Sequence, residues 1–591
     1  MEIPIEFGRF DKPKTAENVA TRMKLAHDRV GLKSKHIFHM SADGGAISSA
    51  SELEWNTRQG REVETAFESC YAHQNELASK MSTGSSSHVT NNNPVLGGVI
   101  AKNHDINERF IRSSGRTKML RSVQEENKRK PKLPLKQSVV TRWSSNVTET
   151  ARCNEVMGDL CEANQRLLLG DDASLLRDGN GNAVDRNTLV HSQLDKSILR
   201  QLEAGYDPVI RFSKYLQSKG VKSPQMLFEI RHTIQEMESS NFGMYTDISH
   251  MGAAAPDGRN RKKTTFVQAP GAPEHPDARN YAHHVDMEQC IQLGRHLYCE
   301  DLSARLKLTE KDTGEDKECL ADSVTFPALL NPLMGGRKSM VDSGLMTDTQ
   351  ENNARAGILA EIKRLYEKDC APTAIDFSDN DEDSELEMIG KHTSRAFNKA
   401  KDEFDEFEMQ CKVKRVLPKI QENKSRVLSG LGSREIRLGQ VETPGANLPS
   451  GKNLANYVDK KGRFKMVDFF EDHKESFPKL RLLALKRAAG DNVEVNCERF
   501  FSLAGYVSHP ARSRMKSSTY ERLAVLPAIM DVLYIDENAV VDEYIRRRKA
   551  NDWNEIESEE DEAFLLLERE IAEEEGYESS SDSDDDNDDD S

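Results

Sequence analysis

The chain lacks any run of 18 consecutive apolar residues, so hydropathy gives no membrane-spanning helix, and its first residues lack the apolar core of a secretory leader. It also lacks any C-x-x-C pair: nine cysteines, at 70, 153, 161, 290, 299, 319, 370, 411 and 497, stand singly. Such scattering fits a reducing compartment and excludes a disulfide framework. Cys290, His296 and Cys299 come nearest to a metal finger but have no second ligand pair. Aromatic residues are few, at 6%, and hydrophobic residues make up 37%, enough for a core with room for unstructured tracts. No internal repeat is present. A soluble, intracellular protein is expected, with no membrane partner.

The net charge of −17 misrepresents most of the chain. Residues 551–591 carry 20 Asp or Glu against the single Arg569, a balance of −19, so the first 550 residues sum to +2. The body is near neutral and the acidity sits in a C-terminal tail (536–591).

Helical periodicity opens the chain. Thr15 is placed to cap a helix over 15–31 in which Val19, Met23, Ala26 and Val30 recur at helical spacing, and Gly31 can close it. His36–Ala42 has the length and apolar bias of a strand with Asp43 at its end, and 61–81 returns to a helical period through Val63, Phe67, Cys70, Gln74 and Leu77. Residues 82–98 read as a polar loop and 144–240 as almost wholly helical. The seven Gly or Pro of 246–282 read as a linker. Helices are expected again near 285–308 and at 355–368, the latter with an apolar stripe through Ile358, Leu359, Ile362, Leu365 and Tyr366. An acidic hinge at 376–387 precedes a charged helix from 388 to about 425.

The most distinctive residues lie in 456–535. Phe477-Pro478-Lys479-Leu480 is followed by Glu498-Arg499-Phe500-Phe501-Ser502-Leu503-Ala504-Gly505 and then by Arg512-Ser513-Arg514. Upstream stand Asp43, Cys70-Tyr71-Ala72-His73 beginning 27 residues later, and Thr141-Arg142-Trp143-Ser144-Ser145. Together, in this order, they resemble the hAT superfamily of transposases. The resemblance covers 1–150 and 460–535.

It implies an α/β RNase H-like core, incomplete here (1–150), interrupted by a large all-α insertion (151–455), with the final core helix and a dimerisation region in 456–535. In that family three carboxylates hold two divalent metals, Mg²⁺ or Mn²⁺, for phosphodiester chemistry. By motif, Asp43 is the second carboxylate and Glu498 the third. The first is expected upstream of the 15–31 helix, where the 14 residues offer Asp11 but without strand pattern, so a chain lacking strand-transfer activity is expected, and the family's N-terminal zinc finger is not found in them. The resemblance further implies DNA contacts by Arg142, Trp143, Arg512 and Arg514 and self-association, as a homodimer or larger, through Phe477, Leu480, Phe500, Phe501 and Leu503. It gives Cys70 and His73 a structural role. It implies a nuclear location and no small-molecule substrate. Gly44-Gly45 depart from the polar residues usual after the aspartate, and Phe469-Phe470 stand where relatives often carry tryptophans.

Each residue also has a plainer reading. Asp43 can cap a helix over 46–53, Cys70 and His73 can ligate a metal, Trp143 can be core, Glu498 can pair with Arg499, and Arg512 and Arg514 can be solvated charges. The basic stretch Lys118, Arg121, Lys128-Arg129-Lys130-Pro131-Lys132 and Lys136 reads as a phosphate contact, a nuclear import signal or an exposed charged helix. Two other functions stay open: an active transposase whose first aspartate lies in a segment upstream of Met1, and a nuclear adaptor whose acidic tail binds basic partners.

Overall fold

The computed structural model describes residues 15–29, 39–42, 66–84, 92–129, 132–138, 143–169, 190–217, 223–245, 263–306 (apart from 274, 276, 277, 280 and 282), 308, 322–332, 339–370 (apart from 343), 382–410, 454–457 and 464–489. The chain divides into two compact units, residues 1–68 with 493–591, and residues 69–492. The boundary expected at 150 therefore falls inside a unit, in the middle of a continuous helix, and the boundary at 456 also lies within that unit.

The first unit holds α1 (Ala16–Arg29) and β1 (His39–Ala42), which pairs with β2 (Ala66–Ser69). Thr15 caps α1 as its sequence suggests, its hydroxyl accepting the N–H of Asn18 at 3.3 Å. The helix expected over 61–81 is corrected at its start. Residues 66–69 form β2, and the helix begins only at Tyr71, because backbone pairing with β1 satisfies groups that a first helical turn would leave open.

The second unit is mostly helical. Its elements run α2 (Tyr71–Thr83), α3 (Pro94–Arg112), α4 (Ser114–Glu126), α5 (Trp143–Leu169), α6 (Gln193–Gly205), α7 (Asp207–Leu216) and α8 (Ser223–Glu238). Strands β3 (Asn241–Tyr245), β4 (Lys263–Gln268) and β5 (His283–Asp286) follow, then α9 (Gln289–Arg305), α10 (Asp322–Leu329), α11 (Ser339–Asp342), α12 (Asp348–Cys370) and α13 (Glu382–Gln410). A 3₁₀ turn (Leu454–Tyr457), α14 (Met466–Asp472) and α15 (Pro478–Ala489) complete it.

Three expectations change here. The insertion is not all-α: β4 pairs antiparallel with β3 and parallel with β5, inside the stretch read as a linker. Thr265 through Gln268 are all buried, so β4 is covered on both faces and shows none of the alternation that marks a half-exposed strand. Residues 94–98 are helix, opened by Pro94 at the first position where its missing N–H costs nothing. Residues 382–387 of the expected hinge are also helical.

Two packed regions hold this unit. In one, α9 lies close against α2. A Cβ on Gly294 would overlap the Tyr206 hydroxyl and come 2.9 Å from the Ser82 carbonyl, so only glycine allows the approach. Asn93 Nδ2 donates to Ser82 O and Cys290 O, and the Tyr298 hydroxyl donates to Asn75 Oδ1 at 2.6 Å. In the other, Ile358 and Ile362 of α12, Phe404 and Phe407 of α13, Phe469 and Phe470 of α14, Phe477 just before α15, and Leu480 and Leu483 of α15 share one core.

Glu403 ties that second core together. Its Oε1 accepts the N–H groups of Lys479 (2.9 Å) and Leu480 (2.8 Å) in the first turn of α15, and its Oε2 accepts the Tyr366 hydroxyl at 2.7 Å. Burial raises this carboxyl above its usual range despite the three donors. A raised folded-state value means stability present below the unfolded carboxyl range and lost as pH rises through the folded value. Glu403→Gln keeps an acceptor for both N–H groups and removes the titration. Wild type should therefore gain stability relative to E403Q as pH falls through this window, measured by urea denaturation. Parallel pH profiles of the two proteins would contradict it. Glu403→Ala should cost about 2 kcal/mol.

Candidate nucleic-acid interface

The basic stretch found in the sequence is built on α4 and the segment that leaves it. Between Arg112 and Lys136 the chain carries nine Lys or Arg against two Glu. Helix α4 buries Arg116, Leu120, Val123 and Gln124, which places Lys118, Arg121 and Glu125 on the opposite, exposed side.

Helix α4 ends in a Schellman motif. Lys128 N–H donates to Glu125 O and Arg129 N–H to Gln124 O, both at 2.9 Å. The residue that must turn left-handed is Lys128, at φ 53°, and it is the only non-glycine with positive φ among the described residues. Glycine takes this conformation freely, whereas a side chain there costs about 1 kcal/mol.

After the turn the chain is strapped down. Gln124 makes two hydrogen bonds with the Leu133 backbone, Nε2 to O at 3.0 Å and N to Oε1 at 3.1 Å. Arg152 donates to Pro134 O at 2.9 Å. Ser138 N–H donates to Glu149 Oε2 at 3.2 Å, and Glu149 Oε1 accepts Asn107 Nδ2 at 3.0 Å. Exposure alternates along the strap, with Lys132, Pro134 and Lys136 outward and Leu133 and Leu135 inward. Near its end, His104 Nδ1 meets both Ser138 Oγ (3.0 Å) and Glu149 Oε2 (3.2 Å). A Ser–His–carboxylate relay needs the hydroxyl and the carboxylate on different ring nitrogens, so this trio is a latch for the strap and not a nucleophilic site.

The ion pairs separate structural cations from available ones. Arg129 is bound to Asp159 at 2.5 Å with both side chains nearly buried, and Asn127 donates to Asp159 and Glu162. This corrects Arg129 as a phosphate contact. Arg166 grips Glu126 through two bonds of 2.8 and 2.7 Å and also pairs with Glu162; these bonds hold both carboxyls below their usual range. Lys132 pairs with Glu125, and Arg112 with Glu108. Lys118, Arg121, Lys128 and Lys136 are exposed and make no ion pair among the described residues.

The residues singled out by motif fall at element ends. Asp43 follows β1 directly, Cys70 is buried at the residue before α2, and His73 is half-buried in the first turn of that helix. Trp143 is the first residue of α5, five residues beyond Ser138. Phe477 and Leu480 are fully buried at the start of α15 against helices of the same chain, which corrects their assignment to a partner-facing surface. The side chains of Asp43, Arg142, Trp143, Glu498, Phe500, Phe501, Leu503, Arg512 and Arg514 lie outside the described residues. Among the described residues no three His, Cys, Asp or Glu are grouped to hold a metal. No described helix is long and apolar enough to cross a membrane. No protein-family model matches the chain, and no curated protein matches it. The positioning residues Gln124, Arg152, His104, Glu149 and Asp159 carry no motif; the only readable signal was the basic run they support.

Proposed function

We propose that the chain is a transposase-derived protein of the hAT superfamily, with an RNase H-like core split by an insertion, that self-associates and binds nucleic acid in the nucleus. The observation that carries the reading is the ordered set of motifs, each at an element end: Asp43 after β1, Cys70-x-x-His73 at α2, Thr141-Arg142-Trp143 at α5, and Phe477-Pro478 at α15. Strand ends and helix starts are where an α/β layer opens side chains to ligands. The basic strap leading into Thr141-Arg142-Trp143 supports the nucleic-acid part. Asp43 and Glu498 are the carboxylates this reading would assign to Mg²⁺ or Mn²⁺.

Since Phe477 and Leu480 serve the chain's own core, self-association is assigned to Phe500, Phe501 and Leu503. Sedimentation velocity on the full chain at micromolar concentration should show a dimer or larger. Phe501→Asp should weaken association by several kcal/mol, on the order of leaving a charge buried unpaired. A wild-type monomer at tens of micromolar would sink the reading.

A further inference from the structure

We propose that the stripe Lys118, Arg121 and Lys128, extended by Lys136 on the strap, is a binding site for the phosphodiester backbone of nucleic acid, and that Lys128 is held left-handed to serve it. The inference rests on the nucleic-acid part of the reading above and names the surface.

The stripe follows helix geometry. Lys118, Arg121 and Glu125 recur at steps of three and four along the exposed side of α4, and Lys128 is exposed two residues past its end. At 1.5 Å per residue the helical part from 118 to 126 spans about 12 Å, roughly three to four steps of 3.4 Å along one strand of a duplex. Glu125, the one carboxylate in the line, is neutralised by Lys132, so the net charge of the line is that of Lys118, Arg121 and Lys128.

Strain points the same way. A glycine at 128 would close α4 at no conformational cost, yet the position holds an exposed lysine with no ion partner among the described residues. Backbone strain that the fold does not need is characteristic of functional positions. The Schellman turn, the Arg129–Asp159 pair and the Gln124–Leu133 bonds hold that lysine in place, so little ordering is lost on binding.

The chemistry of the surface selects the partner. Among the described residues from 113 to 138 no large apolar side chain is exposed, and protein partners need such anchors. Arg129, in the middle of the basic run, is held by Asp159 and so is not offered to a partner. Lysines and an arginine without exposed aromatics or base-reading amides suit phosphate contact, which carries affinity and not sequence preference.

The test is fluorescence anisotropy of full-length protein with a 20-base-pair DNA duplex and an RNA duplex, at increasing salt. Four phosphate contacts predict a slope of about −3.6 in log affinity against log salt, little affected by sequence. Lys128→Gly should make the slope shallower by about one while raising the melting temperature, a combination that misfolding cannot produce. Arg129→Gln should lower the melting temperature and leave the slope unchanged. The proposal is overturned if folded Lys118→Gln/Arg121→Gln/Lys128→Gly binds as wild type does, if poly-glutamate competes as well as duplex, or if wild type binds neither duplex. The sedimentation result judges self-association separately.

Discussion

Replacing Arg295 with methionine should lower the stability of the 69–492 unit by about 4 kcal/mol, measured by urea denaturation. Arg295 is 3% exposed and has no carboxylate bonded to it among the described residues; its guanidinium donates to Met237 O (3.1 Å), Gly205 O (2.8 Å), Glu236 O (2.7 Å) and Ser239 O (3.1 Å). These carbonyls lie at the C-terminal ends of α6 and α8, where the last turns lack intrahelical donors and the helix dipoles are negative. The Phe242 ring, 5.0 Å from the guanidinium carbon, adds a cation–π contact. Burial lowers this guanidinium to about 10, which leaves it charged at neutral pH. Methionine fills much of the volume but leaves four carbonyls without a donor, each worth about 1–3 kcal/mol before relaxation. Arg295→Lys should also destabilise, since an ammonium presents its donors from one point and cannot span two helix ends. A loss under 1 kcal/mol for Arg295→Met would refute this account of how α6, α8 and α9 are joined.

Phe477→Ala should cost about 3–5 kcal/mol of folding stability and leave the sedimentation coefficient of the folded protein unchanged. Phe477 is fully buried, edge-on to Phe407 at 5.5 Å and stacked on His473 at 6.1 Å. Phe407 also stacks on Phe470 at 5.8 Å, so the ring joins α13 to both α14 and α15. Truncation leaves a cavity lined by rigid aromatics that cannot collapse, which puts the cost at the upper end of the range. A residue facing a partner would give the opposite pair of results, dissociation without loss of folding stability. That outcome would return Phe477 to an interface.

Much of the helical layout was legible. Thr15 capping α1 and the Ile358–Ile362 stripe of α12 are local signals, set by neighbours three or four residues away. Asn93-Pro94 is a local signal for the start of α3, although the polar residues before it give the stretch the composition of a loop. β2 and β4 were not legible. Each is a short strand defined by its neighbour, and β4 in addition is buried on both faces. Composition could locate the basic run but not divide it. Arg129 and Lys128 are adjacent and chemically alike, and only Asp159, 30 residues away on α5, separates a structural cation from an available one.

The amino-acid sequence by itself determined where most helices form, the confinement of acidity to the tail, and the order of motifs that resembles one transposase superfamily. Tertiary structure alone decided which residues those elements spend on each other. Phe477 and Leu480 became core because α12, α13 and α14 cover them. Glu403 became the anchor of α15 and Arg295 the clasp of two helix ends, across separations of 77 and 90 residues. The physical reason is the same in each case. Propensity and capping act within a turn or two, whereas the desolvation of a charge or a ring depends on what packs against it from a distant part of the chain.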